Sequence, residues 1–407
     1  MNFAGRFVAG AALALVAAAP GGAQQTATLN KNERAAILAL TTALDTKNYA
    51  AAQSAVTSAQ NAASSGYARY VASALQLRLG AETNDRGMQS TAIDAMISSG
   101  AAPMAELPQL YRAQATLLLD AGKYEKAEAA LTRAVEVTPG GEVRPADSDL
   151  LLALAEVKIL RKKNQEAVPL MVRAIDLRRN AGQAVPESWY KRAAAVALAN
   201  RALPEAARLT RELVAAYPSP ENWRDAVLAY RDEAAADPAA RIDALRLLRE
   251  VKCLAGERDY MELAQALGTA GLNIEANAVL DQGVAAGMVN PAKAQFKELI
   301  ASTAKLAAAE RKALAGLESK AMAAATGASA LSAADAHLGA GQYAKAAGLY
   351  QAAIQKGGVD AAVAATRLGI AYALAGQKAE AETAFRSING HRADLGSLWL
   401  VWLGQRA

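Results

Sequence analysis

The sequence predicts an all-α protein, an α-solenoid of antiparallel helix pairs, with roughly 8–10 stacked units of which several are degenerate. Two observations carry this expectation. Hydrophobic residues make up 53% of the 407 residues and aromatics only 5%. The apolar excess is mostly alanine, the strongest helix former and a weak strand former. A glycine–tyrosine turn pattern also recurs in phase along the chain. So much apolar residue excludes a disordered polymer. A single cysteine excludes an internal disulfide framework, and two histidines beside it leave little for a zinc site.

The first 23 residues read as an export signal. Arg6 and the amino terminus supply positive charge, Phe7 to Ala19 is a short apolar run, Pro20 breaks it, and Gly21-Gly22-Ala23 ends it with small residues. The run is too short for a comfortable membrane span. Cleavage is expected between Ala23 and Gln24, leaving a mature chain in a bacterial periplasm, with secretion as the alternative.

The clearest repeat is LYRAQATLLLDAGKYEKAEAALTRAVEVTP, Leu110 to Pro139. Tyr111, Gln114, Ala115 and Leu118 space out one helix face, and Gly122 ends that helix with a left-handed cap. Tyr124, Ala127, Leu131 and Ala134 mark a second helix, which Pro139 stops. A small alanine at the crossing lets two helices approach closely. The same order returns as Gly341, Tyr343, Ala346, Tyr350 and Ala353, and again as Leu368, Gly369, Tyr372, Gly376, Ala381 and Phe385. Weaker copies begin at Asn48-Tyr49, Asn164-Gln165 and Leu203-Pro204, and a further good one runs from Tyr260 to Leu280. The turn equivalents fall near residues 47, 87, 122, 162, 201, 236, 271, 306, 341 and 376. Those spacings of about 35 to 40 residues are the period of a helix-pair repeat.

These units resemble the tetratricopeptide repeat, whose pattern is aromatic, Leu-Gly, Tyr, Gly-x-Tyr-x-x-Ala, aromatic, Ala, Pro. In the Leu110 unit the Leu-Gly pair is replaced by Gln114-Ala115, while the second half matches well. The resemblance covers roughly residues 30 to 390 and implies a right-handed superhelix. On it, residues 24–290 are a repeat array and 327–390 a carboxyl-terminal repeat pair. Between them, residues 291–326 are Ala-, Lys- and Glu-rich, which predicts one or two long stiff connecting helices. Residues 391–407 contain LGSLWLVWL, an apolar helix expected to cap the array around Phe385 and Ile388. Its other side, including Val401, is expected to stay exposed or to meet a second surface, either a second copy or a partner protein, with Trp399 and Trp402 as the candidate interface residues.

No Gly-x-x-x-x-Gly-Lys phosphate loop and no Gly-x-Ser-x-Gly elbow occurs, and His337 and His391 have no ligand spacing. No catalytic residue, cofactor or metal is therefore expected. Cys253 reads as a small buried side chain. The net charge is +5, and basic residues gather between Arg144 and Arg258, including Arg161-Lys162-Lys163. The resemblance implies a ligand groove lined by the first helix of each pair, which here offers Arg112, Thr116, Glu156, Lys191, Tyr230, Gln265, Asp335 and Arg367. That set does not match the Lys/Asn clamp for a terminal carboxylate. The expected role is a non-enzymatic periplasmic scaffold that binds a protein or peptide partner in the cell envelope. The alternative is an accessory of polysaccharide export or cell-wall assembly that contacts an anionic glycan through the basic centre. Nucleic acid is not an expected partner, since no aromatic-plus-basic motif supports it.

Overall fold

The computed structural model describes residues 28–138 and 142–406. The expected export segment and Pro139 lie outside them. Among the described residues every regular element is helical. The helices are α1 (Lys31–Asp45), α2 (Tyr49–Ala62), α3 (Gly66–Glu82), α4 (Arg86–Ser98), α5 (Leu107–Asp120), α6 (Tyr124–Glu136), α7 (Asp149–Leu160) and α8 (Asn164–Asn180). They continue as α9 (Glu187–Ala199), α10 (Leu203–Ala216), α11 (Pro220–Glu233), α12 (Pro238–Glu250), α13 (Gly256–Thr269) and α14 (Asn273–Ala285). The last six are α15 (Ala294–Ala323), α16 (Ala328–Gly339), α17 (Tyr343–Lys356), α18 (Ala361–Leu374), α19 (Lys378–Arg386) and α20 (Ala393–Gln405). The chain divides into two compact units between Val185 and Pro186. The expected array boundary at residue 290 is thus replaced by one in the loop before α9. The long helix, the carboxyl-terminal pair and the last helix share unit 2 with α9–α14.

One turn design recurs. Lys47, Asn84, Gly122, Lys162, Arg201, Gly271, Gly341 and Gly376 all have positive φ, between 54° and 79°. The amide of the following residue donates to the carbonyl five positions earlier, as in Asn48 N to Ala43 O at 2.8 Å and Gln377 N to Tyr372 O at 2.9 Å. This closes the first helix with a left-handed residue and frees the chain to reverse. The turn expected near 87 sits at Asn84. The turn near 236 is real but lacks a left-handed residue: Asp237 caps α12 by accepting from Ala240 N at 2.9 Å, and Pro238 opens it. No turn exists at 306. Residues 294–323 form a single helix about 45 Å long, because no proline interrupts it and Gly316 is its only glycine. Phe296, Thr303, Ala307, Leu314 and Ala321 form its buried stripe.

Five residues after most of these turns stands an alanine: Ala52, Ala127, Ala167, Ala206, Ala276, Ala346 and Ala381, all fully buried. The exception explains itself. In α3–α4 the small residue is on the first helix, where a Cβ on Gly80 would lie 3.0 Å from Gln89 N. Gly369 serves the same purpose, since its Cβ would fall 2.5 Å from the Phe385 ring. Successive pairs then stack one repeat apart in sequence. In unit 1, Tyr70 donates to Glu106 and Arg112 pairs with Asp149. In unit 2, Arg224 meets Asp259 at 2.5 Å and Lys293 meets Glu257 at 2.6 Å.

Replacing Ala346 or Ala381 by Leu should destabilise the protein by about 1–3 kcal/mol, because the crossing has no room for a larger side chain. Urea denaturation measures this, and unchanged midpoints for both variants would place the helix crossings elsewhere.

Candidate functional site

The structure brings some of the eight expected groove residues together and buries others. In unit 1, Arg112 pairs with Asp149 across to the next helix pair, Thr116 Oγ1 donates to Arg112 O at 3.1 Å, and Glu156 is half-buried on α7. In unit 2, Lys191 pairs with Glu187 on its own helix at 2.8 Å. Tyr230 is buried, so it is corrected from groove lining to interior; Asp335 and Arg367 are buried too, and only an edge of each reaches a cleft wall. Gln265 is exposed on α13. It lines a cleft of 720 Å³ with Arg241, Ile242, Leu245, Arg258, Met261, Glu262 and the edge of Arg367. A cleft of 540 Å³ begins beside it at Ala270 and is walled by Asn273, Glu310, Ser332 and Asp335.

The buried centre of unit 2 is ionic, and sequence reasoning did not find it. Asp243 is 0% exposed and meets three arginines: Arg246 at 2.6 Å, Arg392 at 2.8 Å and Arg367 at 3.2 Å. Arg246 also holds Glu275 at 2.5 Å, and Arg367 holds Asp335 at 2.7 Å. Tyr350 donates to Asp335 Oδ1 at 2.6 Å, and Arg392 reaches Asp237 at 3.1 Å. Burial alone would push the Asp243 carboxyl up, but the three guanidinium groups hold it below its ordinary range. Asp335, with fewer cations, is pushed up by burial.

The cluster closes unit 2 on itself. Arg392 and Arg367 come from the carboxyl-terminal end and Asp237 and Asp243 from α12, more than a hundred positions earlier. The last helix seals the same joint. Arg211 on α10 pairs with Asp394, Trp223 Nε1 donates to Gln405 Oε1 at 3.1 Å, and Gln405 Nε2 donates to Val214 O at 2.9 Å. Phe385 stacks on Trp399 at 5.8 Å, and Trp402 meets Trp399 edge-on at 5.2 Å. Trp399 is 0% and Trp402 6% exposed. The expected interface at Trp399 and Trp402 is therefore corrected: the second surface that this helix meets is α10–α12 of its own unit.

The basic run Arg161-Lys162-Lys163 is largely engaged as well. Glu128 accepts from Arg161 at 2.5 Å, Lys158 at 3.0 Å and Lys163 at 3.1 Å. Burial raises the Glu128 carboxyl, but these three cations outweigh it and bring it down to about 2. Cations spent on an internal carboxylate leave little field for an anionic glycan. His337 is buried with Nδ1 2.7 Å from Gln342 Oε1, and His391 Nε2 lies 2.8 Å from Asp237. Cys253 is buried, with Sγ 3.4 Å from Pro220 O, and burial pushes its thiol up. Among the described residues no three His, Cys, Asp or Glu side chains gather as metal ligands, and no helix is long and apolar enough to cross a membrane.

A family model of the tetratricopeptide repeat matches residues 112–184 and 331–390. Each matched block contains two of the left-handed turns, at Gly122 and Lys162 and at Gly341 and Gly376. Both stretches are tetratricopeptide repeats. No curated protein matches it in sequence. Among solved structures, a tetratricopeptide repeat protein from Parabacteroides merdae is 17% identical, with 65% of this chain and 99% of that chain covered and a TM-score of 0.29. The carboxyl-terminal part of a repeat-containing protein from Cytophaga hutchinsonii is 11% identical over 71% of this chain and 97% of that one, with a TM-score of 0.31. Pseudomonas aeruginosa pilF is 16% identical over 57% and 96%, with a TM-score of 0.30. At scores this low the likenesses decide nothing further about this chain.

Within unit 2 the ionic centre is a departure from an apolar core that stability measurements can weigh. Arg392→Ala should cost about 3–5 kcal/mol by leaving Asp243 and Asp237 short of a buried partner. Arg211→Ala, at a more open pair, should cost at most about 1 kcal/mol. Equal losses in urea denaturation would contradict the buried arrangement. Glu128→Gln should lower the melting temperature at pH 7. A carboxyl depressed in the folded state stabilises above its unfolded pKa and loses that effect as pH falls through its folded value. The gap between variant and wild type should therefore close between about pH 4.5 and pH 2.

Proposed function

We propose that the chain is a non-enzymatic, exported repeat scaffold that binds a protein or peptide partner in the cell envelope. The observation that carries this reading is the 720 Å³ cleft beside α12 and α13. Its floor is apolar, from Ile242, Leu245 and Met261, and its rim is polar, from Arg241, Arg258, Glu262 and Gln265. Apolar floors with a few placed polar groups are what recognition pockets share. Glu262 is already held by Arg231 at 3.1 Å and Arg241 at 3.2 Å. Arg258 is exposed and makes no ion pair among the described residues. The cleft thus favours an extended segment with an apolar anchor and an acidic side chain.

The test uses the immobilised protein and envelope extract. Capture of a defined partner should fall at least tenfold in Met261→Asp and in Arg258→Glu, with melting temperature unchanged. Capture that survives both substitutions would remove the cleft from the reading. Amino-terminal sequencing of the cell-recovered protein should begin at Gln24. Recovery from the cytosol with residues 1–23 retained would refute the envelope assignment.

A further inference from the structure

Unit 2 holds another cavity, of 280 Å³, walled by α12, α14, α15, the end of α16 and α18. Its charged lining is only partly compensated within the chain. Glu250 makes no hydrogen bond or ion pair among the described residues, and burial pushes its carboxyl above the ordinary range although Arg249 and Arg406 lie near enough to oppose that shift. Arg311 at the exposed rim likewise makes none. Arg249 donates from Nε to Gln282 Oε1 at 2.6 Å, a neutral amide, and Glu250 beside it offsets its charge without a hydrogen bond. Arg246 and Glu275 line the cavity too, but they neutralise each other. Leu338 and the half-buried Leu374 add apolar surface.

Half-buried charge of both signs facing one space restricts what that space accepts. A simple anion gives Glu250 no hydrogen-bond donor, and a simple cation gives Arg249 and Arg311 no carboxylate to bond. Either case carries a desolvation cost with no compensating bond. A molecule bearing both charges satisfies both walls through charge-assisted hydrogen bonds. The volume sits at the small end for ligand pockets, which begin near roughly 300 Å³, and is too small for a peptide of several residues.

We propose that this cavity binds a free amino acid with an apolar side chain. Glu250 receives the ammonium group, Arg311 and Arg249 the carboxylate, and Leu338 and Leu374 the side chain. This site is separate from the cleft beside α12 and α13 and does not rest on partner binding there.

Isothermal titration calorimetry on the full chain tests it with three probes: leucine, 4-methylpentanoate, which lacks the amine, and 3-methylbutylamine, which lacks the carboxylate. Leucine should bind at least tenfold more tightly than either analogue. Glu250→Gln should weaken leucine at least tenfold and leave 4-methylpentanoate unchanged. Arg311→Gln should weaken leucine and leave 3-methylbutylamine unchanged. Arg311 is exposed, so this variant keeps its fold even where Glu250→Gln does not, and thermal melting verifies both. No heat from leucine at millimolar concentrations, binding that neither substitution alters, or an analogue that binds as tightly as leucine would each overturn the proposal.

Discussion

An alanine five residues after a left-handed turn lets the two helices of a pair cross at near-backbone distance, and the larger side chains pack around that contact. The buried alanines from Ala52 to Ala381 repeat this geometry in both units. It tolerates substitution at the turn better than at the crossing. Lys47, Asn84, Lys162 and Arg201 occupy the left-handed position without being glycine, at a conformational cost of about 1–2 kcal/mol each. Their hydrogen bonds to the preceding helix and, for the cations, the helix carboxyl-terminal dipole offset part of it. The crossing offers no such compensation, and where the alanine is missing, the glycine on the opposite helix takes its place at Gly80.

In unit 2 a second constraint is laid on the first. A solenoid grows by adding neighbours, and nothing in that process joins distant repeats. Here Asp243 does so, by placing a charge where only arginines from far along the chain can satisfy it. Arg367 and Arg392 come from the last repeat and the segment after it. A buried ion cluster of this kind adds little net stability over an apolar core of the same shape. It is demanding about partners, however, and so specifies which helices meet. The last helix then covers the joint with Trp399, Trp402 and Gln405, which turns an expected docking face into interior.

Much of the local architecture was legible because helix-pair repeats depend on short-range pattern. The turns at 47, 122, 162, 201, 271, 341 and 376 could be read from spacing, since each needs one special backbone position at a fixed distance from a small residue. The turn at Asn84 was misplaced because its small residue lies before the turn. The break at 306 was wrong because periodicity alone cannot distinguish a degenerate repeat from a continuous helix, whereas the uninterrupted Ala/Lys/Glu composition could. The expected groove failed at Tyr230, and turned mostly inward at Asp335 and Arg367, for another reason: equivalent repeat positions share a face only while the array stays open.

By itself, then, the amino-acid order determined an all-helical chain, the pairing of its helices and the repeat family, since propensity, turn geometry and small-residue spacing all act within about 40 residues. Tertiary structure alone decided that the division falls at residue 185, that the last helix returns to α10–α12, and that Asp243 meets Arg246, Arg367 and Arg392. The cavity beside Glu250 and the cleft beside Gln265 belong to this second group. Contacts between residues more than a hundred positions apart leave no periodic trace, because each side of the pair looks locally like an ordinary charged residue on a solvated helix face.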